Sequence, residues 1–163
     1  MQKFSQKYTI IQLFENVSKG TQFSSDSWPL HATVVDVFAI GWDLPMMIEK
    51  LEALLVAHKQ ATSVTVEDKL FGPKKQVQVV LLQKTDSLIK LHYDLLDLLQ
   101  QGKLKLNNPQ FAREGFLPHS TVEKHARLNK GDTVTFNALT LIDMFPDEDP
   151  YQRKVLKTVR IGG

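Results

Sequence analysis

The pattern that decides how this chain is interpreted occurs twice, as WPLHATV at residues 28–34 and as FLPHSTV at residues 116–122. Each copy has a proline shortly before a histidine, a threonine two positions after it, and then an aliphatic residue. Both copies lie in β-prone segments, and residues two apart in a strand point to the same side. His31 and Thr33 therefore share one face of their strand, and His119 and Thr121 share one face of theirs. If the two strands face each other, two imidazoles and two hydroxyls are available to one cleft.

The composition is that of an ordinary globular protein. The chain has 163 residues, of which 42% are hydrophobic and 23% charged, so we expect a single domain over residues 1–163, built from two lobes. A net charge of +2 permits a nucleic-acid ligand without arguing for one. The sequence leaves the oligomeric state open.

The absence of cysteine excludes several kinds of chemistry. No disulfide can form, and no thiolate can act as nucleophile or metal ligand. The N-terminal residues lack the apolar run of a signal peptide, and no stretch approaches the roughly 18 apolar residues of a membrane span. We expect a soluble cytoplasmic protein with no membrane partner.

Hydrophobic periodicity and turn residues predict an α+β fold with antiparallel strands and two helices packed on the outside. A helix begins near Asp43 and runs to about Gln60, and a second runs from Asp86 to Gly102. Loops are predicted at 19–26 and 107–117, and a turn at 70–73. The predicted strands cover residues 8–14, 31–38, 63–66, 77–83, 119–123, 133–145 (as one or two strands) and 155–161.

The two motifs suit in-line displacement at a phosphodiester. One group must take a proton from the attacking oxygen, and another must give one to the leaving oxygen on the opposite side of phosphorus. Histidine serves both roles because its ordinary pKa is about 6.5. Threonine hydroxyls can donate hydrogen bonds to the non-bridging oxygens. This chemistry needs no metal or cofactor, and the sequence offers His31 and His119 no third ligand of the kind a zinc site requires.

These features resemble the 2H phosphoesterase superfamily, the 2′,5′ RNA ligase-like proteins, whose signature is a pair of His-x-Thr/Ser-aliphatic motifs about half a domain apart. The family's second motif opens with Phe-x-Pro-His, as at Phe116–His119, and its frequent basic residue at the fifth following position is matched by Lys124. Its aromatic-glycine turn before a buried strand resembles Phe71-Gly72. The resemblance implies two-lobed, duplicated antiparallel sheets with outer helices, related by a pseudo-two-fold axis, with an active-site cleft between the lobes.

The resemblance implies a phosphodiesterase for 2′,3′-cyclic phosphates or 2′,5′-linked nucleotide or RNA ends, with catalytic His31, Thr33, His119 and Thr121. DNA is not expected as a partner. Two alternative functions fit the same sequence features: a non-catalytic nucleotide-binding module with the same cleft, and a protein–protein adaptor with vestigial motifs. For the enzyme, a bell-shaped pH profile is expected, with both histidine pKa values raised by a phosphate-binding cleft.

For several other residues the sequence leaves more than one interpretation open. Lys124 either reaches a phosphate or is a solvated strand residue. Four aromatic residues either stack on a base or pack in the core. They are Phe71, Phe116, Trp28 and Tyr151. The remaining histidines are interpreted as structural or surface residues, with His92 at the edge of a helix's apolar face and His125 the nearest to a motif.

Overall fold

The computed structural model describes residues 5–162, which form one large antiparallel sheet and two helices. The helices are α1 (Leu44–Val56) and α2 (Asp86–Gln100). The strands are β1 (Tyr8–Leu13), β2 (Gln22–Ser24), β3 (His31–Ala39), β4 (Ala61–Phe71), β5 (Val77–Leu82), β6 (Lys105–Leu106), β7 (His119–Thr121), β8 (Thr133–Phe136), β9 (Ala138–Asp143) and β10 (Gln152–Arg160). This confirms the predicted α+β class.

The strand order places the two motifs at the middle of the sheet. The order is β2-β10-β9-β1-β3-β7-β5-β4-β8, with the short β6 also paired to β3. β3 and β7 carry the motifs and are neighbours. On one side of this pair lie β1, β9, β10 and β2, and on the other lie β5, β4 and β8, so the sheet is arranged about the β3–β7 junction. Each side combines strands from both halves of the chain.

Both helices pack into one hydrophobic core. Asp43 caps α1 by accepting a hydrogen bond from the Met46 N–H (2.9 Å), and Thr85 caps α2 by accepting one from the Leu88 N–H (3.3 Å). The helices contact each other, and their apolar faces lie in one buried cluster with residues of the sheet. Each fully buried leucine contributes about 1.5–3 kcal/mol through burial. Neither helix of residues 5–162 has the length and apolarity needed to cross a membrane.

Several predicted boundaries are wrong. Helix α1 ends at Val56, four residues before the predicted end, because the chain must turn to enter β4 at Ala61. Strand β4 continues beyond its predicted end and into the first residues of the predicted turn, as far as Phe71, because its exposed outer half pairs with β5. Two short strands lie in segments without a strand signal: β2 falls inside the predicted loop 19–26, and β6 follows α2. These two short strands form because they pair with β10 and β3 in the sheet.

Candidate active site

The four predicted catalytic side chains come together on one face of the sheet. Strands β3 and β7 pair antiparallel with Ala32 opposite Ser120, and both of these residues are buried. In this register the flanking motif residues also lie opposite each other: His31 and Thr121, Thr33 and His119. Side chains alternate along a strand, so all four project to the face opposite that of Ala32 and Ser120. The motif strands are therefore side by side within one sheet, and they bring the four side chains together in this way and not by facing each other.

Each histidine is oriented by the backbone just before it. The Nδ1–H of His31 donates to the carbonyl of Pro29 (2.8 Å), and the Nδ1–H of His119 donates to the carbonyl of Leu117 (2.7 Å). A carbonyl can only accept, so Nδ1 carries the proton and Nε2 of the neutral ring keeps its lone pair. The upstream proline has a fixed φ and stiffens this segment in both motifs. Each imidazole thus has Nε2 available as a proton acceptor.

An aromatic ring packs against each of the two imidazoles. The Trp28 ring lies 4.7 Å from that of His31, and the Phe71 ring lies 4.8 Å from that of His119 in an edge-to-face arrangement. Trp28 also contacts Phe23 at 5.0 Å, and the guanidinium of Arg153 lies 5.9 Å from the Trp28 ring. These contacts hold the rings of the two histidines in place.

Burial lowers the pKa of both histidines in the free protein. For His31, the carbonyl of Pro29 opposes this effect and the positive charge of His119 adds to it. For His119, the carbonyl of Leu117 and the negative charge of Asp36 both oppose it. The expectation that the cleft raises both pKa values is therefore wrong for the free protein, because desolvation outweighs the hydrogen bonds. Of the two imidazoles, His119 is the one whose charged form lies near a carboxylate, that of Asp36.

A cavity of about 490 Å³ opens beside His119. Its polar lining includes Thr33, Asp36 and His119, and its apolar lining includes Phe71, Phe111, Phe116 and Leu117. This volume is in the range of small-molecule sites, which combine apolar walls with a few polar groups. Phe71 thus lines the cavity, and its contact with a substrate stays a prediction. Sequence reasoning missed Asp36 and the exposed Phe111, although a lone carboxylate inside the apolar run VVDVF was a possible signal.

A second charged group links the ends of the two motifs. One carboxylate oxygen of Glu15, just after β1, accepts hydrogen bonds from the Leu30 N–H (2.7 Å) and from Nε2 of His125 (2.8 Å). Leu30 directly precedes His31, and His125 follows the second motif. Sequence reasoning missed this contact because the residues are far apart along the chain. Lys124 is exposed and is not among the residues that line the cavity, so its contact with a phosphate stays a prediction.

His92 is a buried structural residue and does not lie at the edge of its helix face as predicted. It is 2% exposed, its Nδ1–H donates to the carbonyl of Val34 (2.7 Å), and its Nε2 accepts from the Arg113 N–H (2.9 Å). Its ring stacks on Phe116 with centroids 3.9 Å apart and planes 5° from parallel. His92 therefore ties α2 to the first motif strand and to the segment that leads into the second.

Metal-ligating side chains do not cluster around the motifs. Within residues 5–162, no three His, Asp or Glu side chains are arranged so that they could hold a metal ion. We assign no residue of the site to a metal or cofactor.

Comparison with solved structures identifies the class of fold. The chain is similar to a protein described as a phosphoesterase, with 16% sequence identity, a TM-score of 0.55, and coverage of 97% of this chain and 99% of that one. It is also similar to E. coli LigT complexed with 3′-AMP, with 17% identity, a TM-score of 0.55, and coverage of 97% and 99%. A third structure, TT0787 of Thermus thermophilus, has 13% identity, a TM-score of 0.57, and coverage of 96% and 98%.

These neighbours show that the chain has the same fold as LigT. The fold that the resemblance implied is therefore confirmed. No family model matches the chain, and no curated protein matches it.

Proposed function

We propose that this chain is a metal-independent phosphodiesterase that acts on 2′,3′-cyclic phosphates or on 2′,5′-linked nucleotide or RNA ends. The observation that carries the proposal is the register of β3 and β7, which puts two imidazoles and two threonine hydroxyls on one face. In both imidazoles Nδ1 is held by a backbone carbonyl, which leaves Nε2 for proton transfer. Two proton-transfer groups and two hydroxyl donors are what in-line displacement at phosphorus requires.

In this mechanism Thr33 and Thr121 donate hydrogen bonds to the non-bridging oxygens of the phosphate. One histidine takes a proton from water as the water oxygen bonds to phosphorus. The other donates a proton to the ribose oxygen as its bond to phosphorus breaks. The product from a cyclic phosphate is a nucleoside monophosphate, and the two histidines finish with exchanged protonation states. The solved complex of LigT with 3′-AMP supports this choice, since it pairs the same fold with a nucleoside monophosphate.

The position of the cavity supports an assignment of the two roles. The cavity lies on the His119 side, so a nucleoside seated in it brings its ribose oxygen toward His119. Asp36 lines the same cavity, and its negative charge favours protonated His119. We therefore assign His119 as the acid that protonates the leaving oxygen, and His31 as the base that activates water.

A substrate screen tests the proposal. The purified protein is incubated with the four nucleoside 2′,3′-cyclic phosphates and with 2′,5′-linked dinucleotides, with a chelator present, and the products are separated by chromatography. We expect turnover of at least one substrate class, unaffected by the chelator. Binding of nucleotides without turnover would support the nucleotide-binding module, and loss of activity in the chelator would contradict the metal-independent mechanism.

A further inference from the structure

The cavity beside His119 holds one charged side chain whose hydrogen-bonding capacity is largely unused. Asp36 is half-buried there, and one of its carboxylate oxygens accepts a long hydrogen bond from the side-chain amide of Asn108, at 3.5 Å. Among residues 5–162, no lysine or arginine forms an ion pair with Asp36. An ionised carboxylate accepts hydrogen bonds and donates none. A ligand that fits this cavity should therefore offer donors to Asp36.

A β-bulge in the first motif strand brings this carboxylate into the cavity. In a regular strand Thr33 and Asp36, three residues apart, would point to opposite faces. The pairing of β1 with β3 is interrupted between Thr33 and Val35, which lie opposite the adjacent residues Ile11 and Ile10. The extra residue, Val34, re-aims the strand beyond it, so Thr33 and Asp36 line the same cavity.

The spacing of these groups matches a nucleotide. Three residues of β-strand span about 10 Å, and somewhat less across a bulge. A phosphate held at the threonines and histidines would thus place a nucleobase beside Phe71 and Phe111, with an edge near Asp36. Aromatic walls stabilise any base by stacking, so the carboxylate is the group able to discriminate between bases.

We propose that the cavity is a nucleobase subsite in which Asp36 gives a preference for guanine. Guanine presents two adjacent donors, N1–H and the 2-amino group, which match the two oxygens of a carboxylate. Adenine and cytosine each present one amino group next to a ring nitrogen that accepts, and uracil presents one N–H between two carbonyls. With adenine, cytosine or uracil, an acceptor atom of the base would lie against the carboxylate oxygens and be repelled by them. The inference rests on the proposed function for the position of the phosphate.

The test compares substrates that differ only in the base. The values of kcat/KM are measured for the 2′,3′-cyclic phosphates of guanosine, inosine and adenosine, with the wild type and with Asp36→Asn. We expect the wild type to prefer guanosine to adenosine by about 10- to 100-fold, as is typical for a hydrogen bond to a charged group. Inosine lacks the 2-amino group and should fall between them. In Asp36→Asn the ratio of kcat/KM for the guanosine substrate to that for the adenosine substrate should approach one.

The ratio separates recognition from catalysis. Loss of the Asp36 charge also alters the surroundings of His119, but that effect is common to all three substrates and cancels. Glu49→Gln, at an exposed position of α1, is the matched control and should keep the wild-type ratio. Cleavage of all three substrates at equal rates would overturn the guanine preference and leave the proposed phosphodiesterase intact.

If neither the cyclic phosphates nor the 2′,5′-linked dinucleotides are cleaved, the proposed function fails and binding decides the inference. The affinities of 3′-GMP and 3′-AMP are then measured by calorimetry for the wild type and Asp36→Asn. Tighter binding of 3′-GMP that is lost in the variant would support the subsite. Equal affinity, or no binding of either nucleotide, would overturn it.

Discussion

Replacing His92 with leucine should destabilise the protein and loosen the segment that orients His119. Leucine has a comparable size but removes the donor to the Val34 carbonyl and the acceptor for the Arg113 N–H. Arg113 adopts a positive φ of 57°, a conformation that a residue with a side chain rarely holds without support. The segment continues through Leu117, whose carbonyl fixes Nδ1 of His119. The effect of the substitution should therefore reach the site.

The expected loss follows from these contacts. A buried carbonyl left without a donor costs about 1–3 kcal/mol, and a stacked ring pair such as His92–Phe116 adds about 0.5–1.5 kcal/mol. We expect His92→Leu to lower the free energy of unfolding by about 2–4 kcal/mol. His92→Gln, whose side-chain amide carries both N–H donors and an acceptor oxygen, should lose less.

Urea unfolding, followed by circular dichroism, measures this loss. His125→Leu is the matched control, because that histidine is exposed and its ion pair with Glu15 should contribute at most about 1 kcal/mol. Burial lowers the pKa of His92, so below about pH 6.5 the unfolded chain binds a proton that the folded chain does not. Stability should therefore fall as the pH drops, less steeply in His92→Leu than in the wild type. A change of less than roughly 0.5 kcal/mol in His92→Leu at about pH 7.5, within the range of surface substitutions, would refute the structural role of His92.

Three further predictions concern the site. Because burial lowers the pKa of both His31 and His119 in the free protein, the bell-shaped profile of kcat/KM should have its maximum below about pH 6.5, and a maximum above about pH 8 would contradict the account. Thr33→Val combined with Thr121→Val should reduce kcat at least tenfold in steady-state assays, because the phosphate oxygens lose two donors; an unchanged kcat would exclude their role. Glu15→Gln should lower kcat several-fold without loss of folding, since it weakens the contact that joins Leu30 to His125, and unaltered kinetics would show that this contact is dispensable.

The parts of the fold and site that could be predicted are those with a local signal. The apolar residues of α1, at the spacing of Met47, Leu51 and Leu55, predicted a helix that buries one face. The motif residues His31 and His119 were recognisable from their neighbours alone. Both signals lie within a few residues of the chain, so no tertiary information was needed.

The remainder depends on pairing that a single sequence does not display. The bulge that turns Asp36 into the cavity exists only because β1 and β3 pair in a particular register. The contact between Glu15 and His125 joins residues 110 positions apart. His92 was misplaced because helical periodicity gives the direction of a side chain without identifying the backbone groups it meets. Tertiary packing decides each of these features.

The most direct test of the two-histidine mechanism is the turnover of His31→Ala, His119→Ala and the double variant on a cyclic phosphate that the wild type cleaves. Each single substitution should lower kcat at least a hundredfold, because each removes one proton-transfer group. The double variant should lose far less than the product of the two single losses, since the groups act as a unit. Urea unfolding of each variant serves as the control for folding. Retention of full activity by either single variant would contradict the account.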